Sequence, residues 1–328
     1  MKTSRRNSMA CAFLMVFGSM LSPFNATAQV NPIGPVKLIV PSAAGGAVDV
    51  IARIVADHLR RSWNQQVLVV NHPGAGGAIG VRAAGTSPSD GSTLYLAISS
   101  NFVALPELQA TMPFDVARDF VPIGFVGESP MVIGASPTLR VDSLADLFAL
   151  GRRRPNELNV AVLSRGGLPH LTGELLRSRS GTDLTLIHYP GAPQALTDLF
   201  AGRIHLAVES LPAFSGPISN GSLRALAVAS LQRLPNMPDL PTVAETLFGF
   251  AATGWMALMA PPRTPEPIAH KISNDLRTIL AQPEFKARLI ELGTYTQPMS
   301  PNELAEFIQT QQRMWKPVIA EIVSKSSK

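Results

Sequence analysis

The sequence predicts an α/β fold built as two domains, and three observations carry that expectation. After residue 30 strand-like and helix-like segments alternate, the pattern of sheets covered by helices and largely parallel. Several strand-like runs are continuous β-branched or leucine stretches, as strands covered on both faces require. With 328 residues, 46% hydrophobic and 16% charged, the chain can bury substantial cores in two domains of ordinary size.

Residues 1–28 read as a secretory signal. Lys2, Arg5 and Arg6 precede an apolar run from Met9 to Leu21, and Ala26-Thr27-Ala28 is a cleavage site of the A-x-A type. The run is shorter than the ~20 residues that span a bilayer. The periplasm is therefore the expected location. The segment holds three of the 28 Lys/Arg and no acid, leaving 25 basic against 23 acidic residues, a net +2. The longest basic run left is Arg152-Arg153-Arg154, with no interleaved aromatics, which argues against nucleic-acid binding. Cys11, the only cysteine, lies inside the signal, so no disulfide or thiolate metal site is expected.

In chain order, strands are predicted at 37–41, 66–71, 93–98, 120–126, 131–135, 158–163, 184–189, 206–209, 223–229 and 255–259. Helices are predicted at 48–61, 79–84, 143–153, 171–178, 193–201, 242–248, 267–282, 283–292 and 301–324. In the first helix Val48, Ile51, Val55, His58 and Leu59 share one face. Asp49 sits in its first turn and Arg60 and Arg61 in its last, each where the helix dipole favours it. The last helix opens on Pro301 after Ser300, with Glu303 placed for a capping box. No internal repeat is evident. Pro/Gly punctuation at Gly127-Glu128-Ser129-Pro130 and near 250–254 marks two crossings between domains. The expected division is 31–128 plus 253–328, and 129–252, with a cleft between them.

Two glycine turns join strand to helix within 45 residues, Ser42-Ala43-Ala44-Gly45-Gly46 and Gly74 to Gly80. Such turns leave backbone N–H groups outward at the positive end of a helix dipole, a ready anion site. Neither belongs to a nucleotide motif. Gly74 and Gly76 fit the start of G-x-G-x-x-G, but Ile79 stands where the third glycine is needed, and no P-loop lysine is present. No cofactor is expected. The sequence has no G-x-S-x-G and no H-E-x-x-H, and its six histidines lack metal-ligand spacing, so no catalytic or metal site is expected either. Capture of a small anion, rather than chemistry on it, is the expectation.

The chain resembles the substrate-binding proteins of tripartite tricarboxylate transporters, the Bug-type periplasmic receptors. The resemblance is carried through nearly the whole mature chain by PVKLIVPSAAGGAVDVIARIVADHL, NHPGAGGAIG, SPSDGSTLYLA, MPFDVARDFVPIG, GGLPHLTGELLRSRSGTDLTLIHYPGAPQALTDLFAGRIHLAVES, LRALAVASLQRLPNMPDLPTVAET and GWMALMAPPRTP, in that order. It implies a two-lobed type II periplasmic binding protein fold that closes on a small carboxylate and docks, as a monomer, on inner-membrane permease subunits. It also implies a binding role for Ser42, Ala43, Ala44, Gly45 and Gly46, with Ser42 replacing an aromatic residue common in the family. Asp49 fits two roles, a ligand contact or a dipole-favourable acid.

Further contacts are implied at Ser99, Ser100 and Asn101, which follow a strand, against an ordinary turn as the plainer reading. In the second lobe the counterpart turn is Ser164-Arg165-Gly166-Gly167, where Gly167 replaces a common serine. His170 matches a family histidine, although a histidine before a helix is more often a cap or a packed residue. Tyr189 precedes Pro190, which stands where the family has lysine; the lost cation weighs against a highly charged ligand such as citrate. Glu209 replaces a common aspartate at a strand end. Trp255 reads as hinge packing. Two other classes compete with a transport receptor: a ligand-sensing partner of a sensor kinase, and a secreted hydrolase with a triad assembled from distant residues.

Overall fold

The computed structural model describes residues 34–326 apart from 110 and 164. The signal segment, Cys11 and Ser164 therefore lie outside the described residues. The first lobe opens with β1 (Val36–Val40), α1 (Ala47–Trp63), β2 (Val67–Asn71), α2 (Ala78–Gly85) and β3 (Thr93–Ile98). Ile51, Val55 and Leu59 of α1 are fully buried against the sheet, as the spacing of its apolar face requires. Three short helices follow, α3 (Ser99–Val103), α4 (Leu105–Leu108) and α5 (Val116–Asp119), none of which has enough residues to show a period in sequence.

The 15-residue strand β4 (Val121–Ala135) then carries the chain into the second lobe. That lobe contains α6 (Leu144–Arg153), β5 (Leu158–Leu163), α7 (Leu168–Ser180), β6 (Leu184–Tyr189), α8 (Ala192–Phe200), β7 (Leu206–Ser210), α9 (Leu211–Ser219) and β8 (Arg224–Val228). β9 (Thr253–Ala260) returns to the first lobe, which closes with α10 (Glu266–Ala281), α11 (Pro283–Glu291) and α12 (Pro301–Ser326).

Strand order is β2-β1-β3-β9-β4-β7-β5-β6, with β8 also paired to β4. β4 belongs to both lobes: residues 121–130 pair with β9, and residues 131–135 pair with β7 and β8. The two strands predicted at 120–126 and 131–135 are thus one. Gly127 to Pro130 does not break the chain, because it stays extended, paired to Thr253–Met256 and joined by Glu128 to Tyr295 through two 2.8 Å backbone hydrogen bonds.

The sheets are also less parallel than predicted. β1 pairs in parallel with β2 and β3, and β5 with β6 and β7, but β4 and β9 are antiparallel to every neighbour. Strands that enter and leave a lobe side by side must run in opposite directions. The helix predicted at 242–248 is only a 3-10 turn, Val243–Glu245, held by reciprocal Thr242 and Glu245 capping bonds and followed by Gly249 at φ 71°. The capping signature is present there without an apolar period to extend it.

Candidate ligand-binding cleft

The first turn, between β1 and α1, is set by Gly45. Its φ of 79° lies in the left-handed region, where glycine carries no Cβ penalty. Gly46 is the extended N-cap of α1, and no side chain caps it. The Gly45 amide donates to Asp49 Oδ2 (2.8 Å), Arg53 donates twice to the same carboxylate (2.9 and 3.0 Å), and Asn71 Nδ2 donates to Oδ1 (2.9 Å). Asn71 also donates to the Ser42 carbonyl (3.0 Å). Asp49 is 2% exposed. Burial pushes its carboxyl up, but Arg53, the Gly45 amide and Asn71 together hold it below the usual carboxylate range. Its oxygens are committed to the turn itself. The Ser42 hydroxyl oxygen is buried with no hydrogen-bond partner.

The second lobe repeats this device between β5 and α7. Gly166 also has φ 79°, Gly167 is the extended N-cap, and again no side chain caps the helix. The residue three places after the N-cap, Asp49 in the first lobe, is His170 in the second. The Gly166 amide donates to His170 Nδ1 (3.1 Å), so the other ring nitrogen carries the proton. The ring is buried and meets His188 edge-on at 4.7 Å. Burial, with His188, Arg165 and Arg177, lowers its pKa to about 4. The two lobes therefore share a local repeat that residue identity conceals.

The remaining predicted residues divide by what their polar atoms touch. Ser99, Ser100 and Asn101 are buried and form the start of α3 rather than a loop. Asn101 Oδ1 accepts from the Tyr95 hydroxyl (2.6 Å) and the Ile98 amide (3.1 Å). A Cβ on Gly77 would fall 2.2 Å from Asn101 Nδ2, which explains the glycine there. The Tyr189 hydroxyl donates to Asp198 (2.7 Å); burial and this bond push its pKa up to about 12. Glu209 is half-buried and accepts from the amide and hydroxyl of Ser210 (2.7 and 2.8 Å); burial raises its carboxyl. Trp255 packs its ring on Phe102 and Phe307 at 4.8 and 5.2 Å.

The lobes meet at several places beside the shared strands. A Cβ on Gly76 would lie 3.7 Å from the carbonyl oxygen of Arg165, and one on Gly166 would press on Leu108 at 2.6 Å. Elsewhere Asn236 accepts from the Tyr295 hydroxyl and donates to the Ile290 carbonyl (3.4 Å). Between the lobes lies a cavity of about 330 Å³. The first lobe contributes Gly45, Gly46, Ala47, Val50 and Leu292, and the second the starts of α8 and α9.

Like α1 and α7, helices α8 and α9 begin without a side-chain cap, at Gly191 and Ser210. By contrast, α5 and α6 are capped by Asp115 and Ser143. An uncapped start leaves its first-turn amides open to a ligand or solvent. Sequence reasoning missed the α8 and α9 walls, although a signal exists. Gly167-Leu168-Pro169, Gly191-Ala192-Pro193 and Ser210-Leu211-Pro212 repeat one N-cap-x-Pro pattern after three successive strands. Among the described residues no group of three or more His, Cys, Asp or Glu could hold a metal ion, and no helix is long and apolar enough to cross a membrane.

A profile described as "Tripartite tricarboxylate transporter family receptor" matches residues 51–323. The chain belongs to this receptor family. Protein BugT of Bordetella pertussis is 34% identical to the receptor over 318 residues, covering 95% of this chain and 98% of that one. Among solved structures, R. palustris Rpa4515 with adipate superposes with a TM-score of 0.84 at 30% identity, covering 88% of the receptor and 96% of that chain. MatC from Rhodopseudomonas palustris with bound malate gives 0.81 at 27%, covering 88% and 100%. The two-lobed periplasmic binding fold expected from the resemblance is the fold of these relatives, and members of the family are solute-binding receptors rather than enzymes.

Proposed function

We propose that the protein is a periplasmic receptor that captures a small carboxylate between its lobes and delivers it to membrane permease subunits. The single observation that carries this is the pair of matched glycine turns, each with its N′ amide pinned by the side chain four residues on and its helix start left uncapped. Pinning the turn from behind fixes the direction of the remaining amides before any ligand arrives, which lowers the ordering cost of binding. Hydrogen bonds to a charged group contribute about 1.5–3 kcal/mol each. A few of them support micromolar affinity, about −8.2 kcal/mol. The backbone of Ala43–Gly46 and Arg165–Gly167 forms the core of this site, with Ser42, Ser99, Ser100, Ser164 and Glu209 as its candidate side-chain contacts. Asp49, Asn101, His170 and Tyr189 act behind it.

The division into 31–128 plus 253–328 and 129–252 is supported by β4, whose pairing changes sheet between Pro130 and Met131. Adipate and malate bound to relatives support a carboxylate ligand. The family description supports a transporter partner. The N-terminal 28 residues support export. A thermal-shift titration of the purified protein against mono-, di- and tricarboxylates tests the reading. A ligand at 100 times its Kd adds about 2.7 kcal/mol of stability. No shift with any acid, from protein unfolded and refolded to strip bound ligand, refutes it. Uptake of labelled ligand by vesicles carrying the permease, with and without the receptor, tests delivery.

A further inference from the structure

The segment after α11 is tied to one lobe by its backbone and to the other by a side chain. α11 ends on a left-handed glycine: Gly293 has φ 70°, its amide donates to the Ile290 carbonyl (2.8 Å), and the Thr294 amide donates to the Leu289 carbonyl (2.8 Å). Thr294 is fully buried and its hydroxyl bonds that of Ser129 (2.8 Å), while the backbone of Tyr295 pairs with Glu128 of β4. The Tyr295 side chain goes the other way. It packs against the second lobe's apolar cluster, which holds Leu211, Leu234 and Leu240, and its hydroxyl donates to Asn236.

Asn236 is itself held in place. It lies in a turn closed by the Met237 amide on the Leu234 carbonyl (3.0 Å). Arg233 braces that turn through the Pro238 carbonyl (2.9 Å) and Glu245 (2.7 and 2.9 Å). Asn236 also donates to the Ile290 carbonyl (3.4 Å), so one second-lobe side chain meets both Tyr295 and the end of α11. Beside it Leu211, the first residue of α9, sits on Gly293, where an added Cβ would fall 2.4 Å from the leucine Cγ.

We infer that Tyr295 is a latch between the lobes, whose bond to Asn236, beside Leu211 on Gly293, favours the closed molecule before ligand arrives and slows ligand release afterwards. Tyr295 is a positioning residue: it acts on affinity through closure and touches no ligand. The effect on affinity rests on the receptor reading above; the latch itself does not. Affinity falls in proportion as the binding-competent form is depopulated. The loss of one ordinary hydrogen bond corresponds to about fivefold in that equilibrium.

No cysteine follows residue 28, so K286C on the first lobe and S178C on the second, both at exposed positions, take spin labels without background. Pulsed electron spin resonance on the labelled, ligand-free protein then compares near and far label pairs. Y295F and N236A should each lower the near-to-far ratio about fivefold. G293A, which wedges a Cβ against Leu211, should lower it at least as much. G249A, at φ 71° with nothing within 4 Å of the added Cβ, should leave it unchanged. If one variant fails to fold, the others still decide.

Malate and adipate serve as ligand probes in stopped-flow measurements. Whichever binds should leave Y295F about fivefold faster than wild type. A ratio that Y295F and N236A leave unchanged, or a wild type with no near pairs, overturns the latch and leaves the receptor reading standing. Lower urea stability in Y295F with unchanged distances and release also overturns it, since that is a structural role alone. Binding of neither probe counts against the receptor reading, while the distances still decide the latch.

Discussion

Replacing Asp49 by alanine tests whether the first turn is held from behind. The carboxylate, itself 2% exposed, accepts the Gly45 amide at 2.8 Å and Asn71 at 2.9 Å, and both bonds are partly buried. Its third partner, Arg53, has a side chain 55% exposed, so that pair is discounted for solvent. Charge-assisted bonds are worth about 1.5–3 kcal/mol each in general, and these two, being partly buried, belong at the low end. Asn71 keeps its bond to the Ser42 carbonyl, so part of that loss is recovered. The lost first-turn acid adds about 0.3–1 kcal/mol. A net loss of about 3 kcal/mol is expected, roughly 6–12 °C in Tm at 2–4 °C per kcal/mol.

Urea unfolding at pH 7 measures this directly. Asp49 is held below its ordinary pKa in the folded state, so its contribution is complete above the unfolded value of 3.8 and declines as pH falls through the folded one. The gap between wild type and D49A should therefore shrink on acidification below about pH 4. A variant within 0.5 kcal/mol of wild type at pH 7, or a gap that widens in acid, would refute the idea that this carboxylate organises the turn.

Other outcomes follow from neighbouring geometry. His170 is neutral and buried with its pKa lowered to about 4 from 6.5, so the protein should lose stability as pH falls from about 6.5 towards 4. H170N, which keeps an acceptor for Gly166, should flatten that slope in urea melts from pH 7 to 4. At 1.36 kcal/mol per pKa unit the linked loss is on the order of 3 kcal/mol; identical slopes would exclude His170 as the source. G77A places a Cβ 2.2 Å from Asn101 Nδ2 at a φ of 100°, and should cost about 2 kcal/mol or more and disturb α3. Differential scanning calorimetry of G77A beside G221A, whose added Cβ meets nothing within 4 Å at a φ of 74°, separates the clash from the backbone cost. Y189F removes one of the bonds to Asp198 while Arg203 keeps the other, so a loss of about 1 kcal/mol in urea midpoint stability is expected.

Most strands were legible because each is a short run rich in β-branched and leucine residues, flanked mainly by polar or turn-forming residues. β3, β5 and β6 begin and end at the predicted residues. The long helices were legible through their periodicity and end charges. α3, α4 and α5 were not, because four or five residues span barely one turn and carry no period. α9 was hidden by its composition: it carries Pro212 at its start and Pro217 inside, and proline in sequence argues against a helix. The Gly127 to Pro130 segment misled for the opposite reason. Its punctuation suggested a break, but pairing to β9 and Tyr295 holds the segment extended.

At the site, the glycines of both turns could be read as turns that leave amides outward. The partner of each turn could not, because Asp49 and His170 do the same work with different chemistry, and only coordinates show an amide donating to each. The interlobe cavity was less visible still, since beyond Gly45 and Gly46 its walls come from alanine, valine, proline and leucine of α1, α8, α9 and the end of α11, residue types that signal only packing in a sequence.

By itself the sequence determined the alternation of strands and helices, the glycine turns at strand ends and the absence of nucleotide, zincin and nucleophile-elbow motifs. These are local properties, written in neighbouring residues and their spacing. The tertiary structure alone decided which turns face each other, which polar atoms are used up inside a lobe and which helix starts are left open. Those depend on pairings between residues as distant as Tyr295 and Glu128. No local pattern encodes them, because they are selected by the free energy of the packed whole.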